Sequence, residues 1–262
     1  GVDVSTDGRK KGCYTFLIAG KDRAAGLTDT VLVGMLDTEN KSLKFVSIPR
    51  DTAVNVAYRP KKMNQYYAAA ENNGKDGVEA LIGGAEQILG YRVDSYALFD
   101  VEVFVELIDA MGGIDFDIPV DMDYDDPVQG LHIHLKKGQQ HLNGQQAHDF
   151  VRFRHNNDWS APGEYVMGDE GRIYWQQKFI KELLLQKAKP QYFSKITEVF
   201  DVISRNVRTN YTLQDLLKHI DVLQKINVDE IGSYKLPGES AYVDELWWYI
   251  HCLLYTSPSP RD

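Results

Sequence analysis

YTFLIAGKDRAAGLTDTVLVGMLDTENKSLKFVSIPRDT, residues 14–52, holds three apolar runs in quick succession, and their spacing decides the fold class. Residues 14–19 (YTFLIA) form a short apolar run that ends at Gly20, the pattern of a buried strand. A polar loop over 21–28 separates this run from a second at 30–36. The turn-rich segment 37–42 leads into 43–48 (LKFVSI), so the second and third runs read as a hairpin. Pro49 has no N–H for a ladder and stops the third strand, leaving Arg50 and Asp51 just past its end.

Working outward, helical patterns follow at 63–71 and 78–89, then a strand at 96–99, a helix at 101–111 and a strand at 114–118. Helices interleaved with short strands predict a layered α-β-α domain, and the hairpin makes its central sheet mixed rather than parallel. The acidic segment 121–126 reads as a surface loop, because its crowded carboxylates would repel in a packed element. Asn143 is placed to cap a helix running to about Val151, and Asp169 to cap a stronger one over 172–187 that ends before Pro190. Amphipathic helices at 196–204 and 213–223 lead to a last strand at 231–236. With no repeat and no linker, residues 1–251 read as one domain, and 252–262 as a non-native or disordered tail outside it.

Composition narrows the chemistry. The chain has 262 residues, 43% hydrophobic and 26% charged, which is enough to bury a core. A net charge of −9 excludes nucleic acid as a partner, since a phosphate backbone demands a basic surface. The balance reverses locally. Arg50, Arg59, Lys61 and Lys62 cluster, and Arg152 and Arg154 flank Phe153. Basic islands in an acidic protein suit a discrete anionic ligand. Cys13 and Cys252 make no metal motif, and one bridge between them is possible. No apolar run approaches the roughly 18–20 residues of a spanning helix, but Gly1 is not an initiator methionine, so an anchor can precede it.

Four constellations carry chemistry. SIPRDT, residues 47–52, presents adjacent cationic and anionic side chains beyond a strand end, where ligand crevices of open α/β sheets lie. A plain surface ion pair is the competing reading. Asp22 and Asp29 fall at the loop between the first two strands, and two converging carboxylates suit Mg²⁺ or Mn²⁺, although loops also favour aspartate for turns. In VRFR, residues 151–154, Arg152 and Arg154 share a face if the segment is extended, and their guanidiniums could then clamp a pyrophosphate. In GDEGRIYWQQ, residues 168–177, Arg172 lies in the first helical turn and Gln176 one turn later on the same face, where a helix N-terminus favours anions.

The order and wording of these segments resemble the LytR–CpsA–Psr family. The matching features are the Gly20–Asp22 loop, Thr28-Asp29-Thr30, SIPRDT letter for letter, Lys62-Met63-Asn64, the Leu142–Ala147 segment, Val-Arg-x-Arg, and Gly-Asp-x-Gly-Arg with its glutamines. They run from about residue 14 to 186. Two positions depart: Leu27 and Trp175 stand where many relatives carry arginine, and Arg23 or Arg59 is the cation nearby to replace one.

The resemblance implies an enzyme that transfers a phosphoglycan, teichoic-acid-like or capsular, from a polyprenyl-pyrophosphate carrier to a peptidoglycan hydroxyl. On that reading Arg50, Lys62, Arg152, Arg154, Arg172 and Gln176 bind the substrate, and Asp22 and Asp29 hold Mg²⁺ or Mn²⁺. Asp51 or Asp169 orients the arginines or serves as the base. A non-catalytic carrier-lipid binding protein, or a pyrophosphatase acting on the same lipid, are the other readings. Such a substrate places the chain outside the cytoplasmic membrane, held by a transmembrane helix upstream of Gly1.

Overall fold

The computed structural model describes residues 9–21, 27–55, 61–128, 130–159, 168–187, 196–227 and 230–252. Close contacts group the chain into two units, Gly1–Asp100 with Arg208–Asp262, and Val101–Val207.

In the first unit the three apolar runs become β1 (Cys13–Lys21), β2 (Thr28–Asp37) and β3 (Ser42–Ser47). All three pair antiparallel. A short 3-10 turn at Met63–Gln65 precedes α1 (Tyr66–Asn72), and α2 (Gly77–Leu89) leads to β4 (Ser95–Asp100), which lies parallel to β1. Asp76 starts α2 by accepting the N–H groups of Val78 and Glu79, and Gly90 closes it at φ 74°, the left-handed cap that glycine adopts cheaply.

Chain order then runs through the second unit: α3 (Val101–Ala110), β5 (Ile114–Ile118), β6 (Met122–Asp126), β7 (Leu131–Leu135), β8 (Gly138–Leu142), α4 (Gly144–Arg152), α5 (Gly168–Lys187) and α6 (Ile196–Asn206). The chain returns through β9 (Val207–Thr209), α7 (Leu213–Leu223), β10 (Gly232–Lys235), β11 (Gly238–Val243) and β12 (Leu246–His251). The central sheet is six-stranded, in the order β10-β3-β2-β1-β4-β9, and mixed as the hairpin reading requires.

The sheet needs a glycine at one point. Gly34 stands opposite both Phe16 and Phe45, whose rings meet edge-on at 5.9 Å across it. A Cβ at Gly34 would lie 2.2 Å from the Phe16 ring. Below the sheet, Leu17, Ala19, Val31 and Val33 pack with Leu81, Ala85 and Ile88 of α2.

The second unit has its own core. Two-stranded ladders β5–β8 and β6–β7 bury Ile114, Phe116, Ile118, Leu131 and Ile133 with Ile108 of α3, Phe150 of α4 and Phe179 of α5. Here the acidic segment corrects the sequence reading. Met122–Asp126 is a strand, because Met122 faces the core while Asp123 and Asp125 face outward opposite His134 and His132. Charge crowding that looked destabilising in one segment is relieved across the ladder.

Candidate active site

The SIPRDT segment forms a tight turn. Pro49 O accepts the Thr52 N–H at 3.0 Å, so Arg50 and Asp51 are the turn's two central residues. Two distant segments hold it in place. Asn64 N–H donates to Arg50 O and Met63 N–H to Thr52 O, each at 2.9 Å. From the other side, Tyr249 N–H donates to Asp51 O and Ala53 N–H to Tyr249 O, each at 2.9 Å. Thr52 is fully buried.

Side chains complete the arrangement. Lys62 is 6% exposed, and its Nζ donates to Asp51 Oδ1 at 3.0 Å while lying 5.2 Å from the Trp248 ring centre. Arg50 Nε stands 3.6 Å from Asp51 Oδ2. One carboxylate thus orients two cations, which makes Asp51 a positioning residue in this geometry. A lysine this buried requires an anionic or aromatic partner, and it has both.

Asp22 lies outside the described residues. Asp29 is described in backbone alone, and its register is informative. Gly20 pairs with Thr30 and Lys21 with Thr28, so Asp29 is the extra residue of a β-bulge. Bulges recur beside active sites, where they redirect a side chain. Next to it, Thr28 Oγ1 donates to Asn64 O at 3.2 Å. Asn64 Oδ1 is buried and accepts no hydrogen bond among the described residues. A spare buried amide oxygen is the hard donor that Mg²⁺ or Mn²⁺ prefers, so these surroundings fit such an ion. Leu27, the first departure from the family pattern, is half-buried just before Thr28.

In the second unit the Leu142–Ala147 segment is explained by packing. Asn143 caps α4 through a capping box with Gln146. Gly144 approaches α3 so closely that a Cβ would lie 2.1 Å from Val105 O. Ala147 is fully buried. These contacts fix the helix whose last residue is Arg152. The sequence reading had Arg152 and Arg154 share a face on the condition that their segment is extended. Instead Arg152 ends α4, Phe153 turns out of it into the core, and Arg154 follows beyond.

Gln176 Nε2 donates to Val151 O at 2.9 Å, tying α5 to the end of α4 beside both arginines. In this geometry its amide N–H positions that helix end. Arg172 is 8% exposed. Because α5 begins at Gly168, Asp169 lies within its first turn rather than at the cap, and Arg172 opens the second turn. Trp175, the other departure, packs edge-on against Phe150 at 6.3 Å, and Lys178 Nζ lies 5.0 Å from its ring centre.

Sequence reading missed three features. Trp248 and Tyr249 of β12 hold Lys62 and the turn, and the apolar run 246–251 was the available signal for that strand. One turn before VRFR, His148 Nδ1 and Asp149 Oδ1 lie 3.1 Å apart, both nearly buried. The third is the aspartate–histidine face of β6 and β7. Cys13 and Cys252 are unpaired thiols. No described helix is long and apolar enough to cross a membrane.

A teichoic acid transferase of Bacillus subtilis (strain 168), the polyisoprenyl-teichoic acid–peptidoglycan teichoic acid transferase TagV, is 29% identical over 240 residues. That match covers 89% of this chain and 59% of TagV, so the chain spans well under two thirds of that relative's length. The corresponding TagU of Bacillus mycoides (strain KBAB4) is 28% identical over 95% of this chain and 77% of its own. The crystal structure of B. subtilis TagV superposes with a TM-score of 0.75 at 27% identity, covering 93% of this chain and 92% of that one. The LytR_cpsA_psr family profile matches residues 2–253. A profile that spans both units, over a fold shared with TagV, accounts for motifs scattered from Gly20 to Gln177: the chain belongs to the LytR_cpsA_psr family.

Proposed function

We propose that this chain is a cell-wall phosphotransferase, which moves a phosphoglycan from a polyprenyl-pyrophosphate carrier to a peptidoglycan hydroxyl. The observation that carries the reading is the alignment with teichoic acid transferases over about nine-tenths of the chain, in which Arg50 sits in the SIPRDT turn and Lys62 is tied to that turn through Asp51. In the reaction the acceptor oxygen bonds to the glycan-side phosphorus and the bridging P–O bond breaks. Polyprenyl phosphate departs, and the hydroxyl proton passes to a base. Such chemistry needs mainly positioning and neutralisation of charge.

The cations of each unit serve phosphate: Arg50 and Lys62 in the first, Arg152, Arg154 and Arg172 in the second. Asp51 orients Arg50 and Lys62, Gln176 steadies the end of α4, and Asp51 or Asp169 takes the hydroxyl proton. Asp22 and Asp29, with Asn64 nearby, would hold Mg²⁺ or Mn²⁺, whose charge would offset that of the pyrophosphate. A substrate of this kind places the chain on the outer face of the cytoplasmic membrane, anchored by an upstream helix.

The test is polyprenyl phosphate release from a lipid pyrophosphate-linked glycan in Mg²⁺, with and without peptidoglycan. Arg50→Ala and Arg154→Ala should each lower turnover by about 10²–10³-fold, the usual effect of removing one preorganised charge donor. Full activity in both variants would sink the proposal. Release without capture of the glycan by peptidoglycan would identify a pyrophosphatase, and tight binding without turnover a carrier-lipid receptor.

A further inference from the structure

Both strands of the β6–β7 ladder carry alternating polar residues on their outward face. Asp123 stands opposite His134 and Asp125 opposite His132. The four side chains form one connected row. His134 Nδ1 lies 2.7 Å from Asp123 Oδ1, and its Nε2 lies 3.4 Å from Asp125 Oδ1. Asp125 Oδ1 is also 2.5 Å from His132 Nδ1. One imidazole therefore sits between two carboxylates, and a second imidazole backs one of them.

The backbone beneath this row is pinned. Asn156 Oδ1 accepts the Asp123 N–H at 2.8 Å, and Asn157 Oδ1 accepts the Asp125 N–H at 2.6 Å. Asn157 also donates from Nδ2 to Asp125 O at 3.0 Å and from its backbone to Asp123 O at 3.2 Å. Both carboxylates thus hang from fixed backbone, as a metal site requires.

We propose that this face binds one dication of the Zn²⁺ type, with Asp123, Asp125 and His134 as ligands and His132 holding Asp125 in place. One ligand atom from each of the three residues lies within 4.8 Å of the others. Bonds of about 2.0–2.2 Å in a tetrahedron put ligand atoms roughly 3.4 Å apart, so small side-chain rotations close the site. A water would fill the fourth position. The imidazole selects a first-row transition metal over Mg²⁺ or Ca²⁺, which prefer oxygen throughout. His132 acts as the outer partner that orients a coordinating carboxylate. This inference does not depend on the proposed transferase reaction.

A tag-free protein titrated with Zn²⁺ by calorimetry in excess Mg²⁺ tests it, with Co²⁺ absorption reporting coordination. The four side chains are at least 46% exposed, so substitutions there leave the core intact. Wild type should bind one ion per chain. His134→Ala and the double variant D123N/D125N should abolish saturable binding, and His132→Ala should weaken it about tenfold. His141→Ala removes the lone His141–Asp115 pair at 2.7 Å on the β5–β8 ladder and should change nothing. Absence of Zn²⁺ binding by wild type, or binding untouched by His134→Ala, overturns the proposal.

Discussion

The two arginine-bearing regions are held by different forces. In the first unit the Arg50–Asp51 turn is held by backbone bonds from two remote segments and by one carboxylate shared between two cations. In the second, Arg152 rides on the end of a helix fixed by close packing: the capping box at Asn143, the tight approach of Gly144 to Val105, and buried Ala147 and Phe150. The difference teaches where each region is fragile. A turn held by backbone bonds and a shared carboxylate loses the placement of its cations when that carboxylate is removed. A packing-held helix tolerates charge changes and fails when a methyl group is added.

The sharpest way to break the second region is Gly144→Val. A branched side chain where even a Cβ would sit 2.1 Å from Val105 O should cost about 3 kcal/mol, seen as a lower denaturation midpoint. Asp51→Ala should break the first. Removing one member of a fully buried pair costs about 3–5 kcal/mol, and Asp51 is partly exposed, so about 2 kcal/mol is expected. Lys62→Met in the same chain should restore most of that loss, because an apolar side chain has no charge to leave unpaired. Asn143→Ala removes a cap and should cost about 1 kcal/mol, measurable by the same method.

A pH effect, the smallest, comes from His219 in the first unit. Burial holds His219 below its ordinary value, against the opposing pull of Asp215, and its Nδ1 meets Tyr211 Oη at 2.8 Å. The unfolded chain then protonates first as the pH falls. The stabilisation is whole above the ordinary histidine value of about 6.5 and is lost as pH drops from there through the folded value. The melting temperature should decline below that point, and His219→Phe should flatten the decline.

Much of the fold was legible because its signals are local. Ile114–Ile118 alternates with period two, and Leu213–Leu223 follows its Thr212 cap with a helical stripe. Both match the bounds read from sequence. The acidic strand was illegible because its partners lie across the ladder, on a strand and in histidines that a reading of one segment cannot register. The same holds at the candidate site. SIPRDT and VRFR announced their charges, but neither showed that Tyr249 closes the turn or that Gln176 spends its amide on Val151.

The pairing of Asp51 with Tyr249 joins an early part of the chain to a late one. These residues are separated by about three quarters of the chain, so the loop they close carries a high entropic cost. A polypeptide emerging N-terminus first carries its SIPRDT turn early, yet that turn lacks two of its backbone bonds until β12 arrives. Competence at this turn therefore doubles as a receipt for complete synthesis: a chain cut short before β12 retains the SIPRDT motif without the strand that closes its turn.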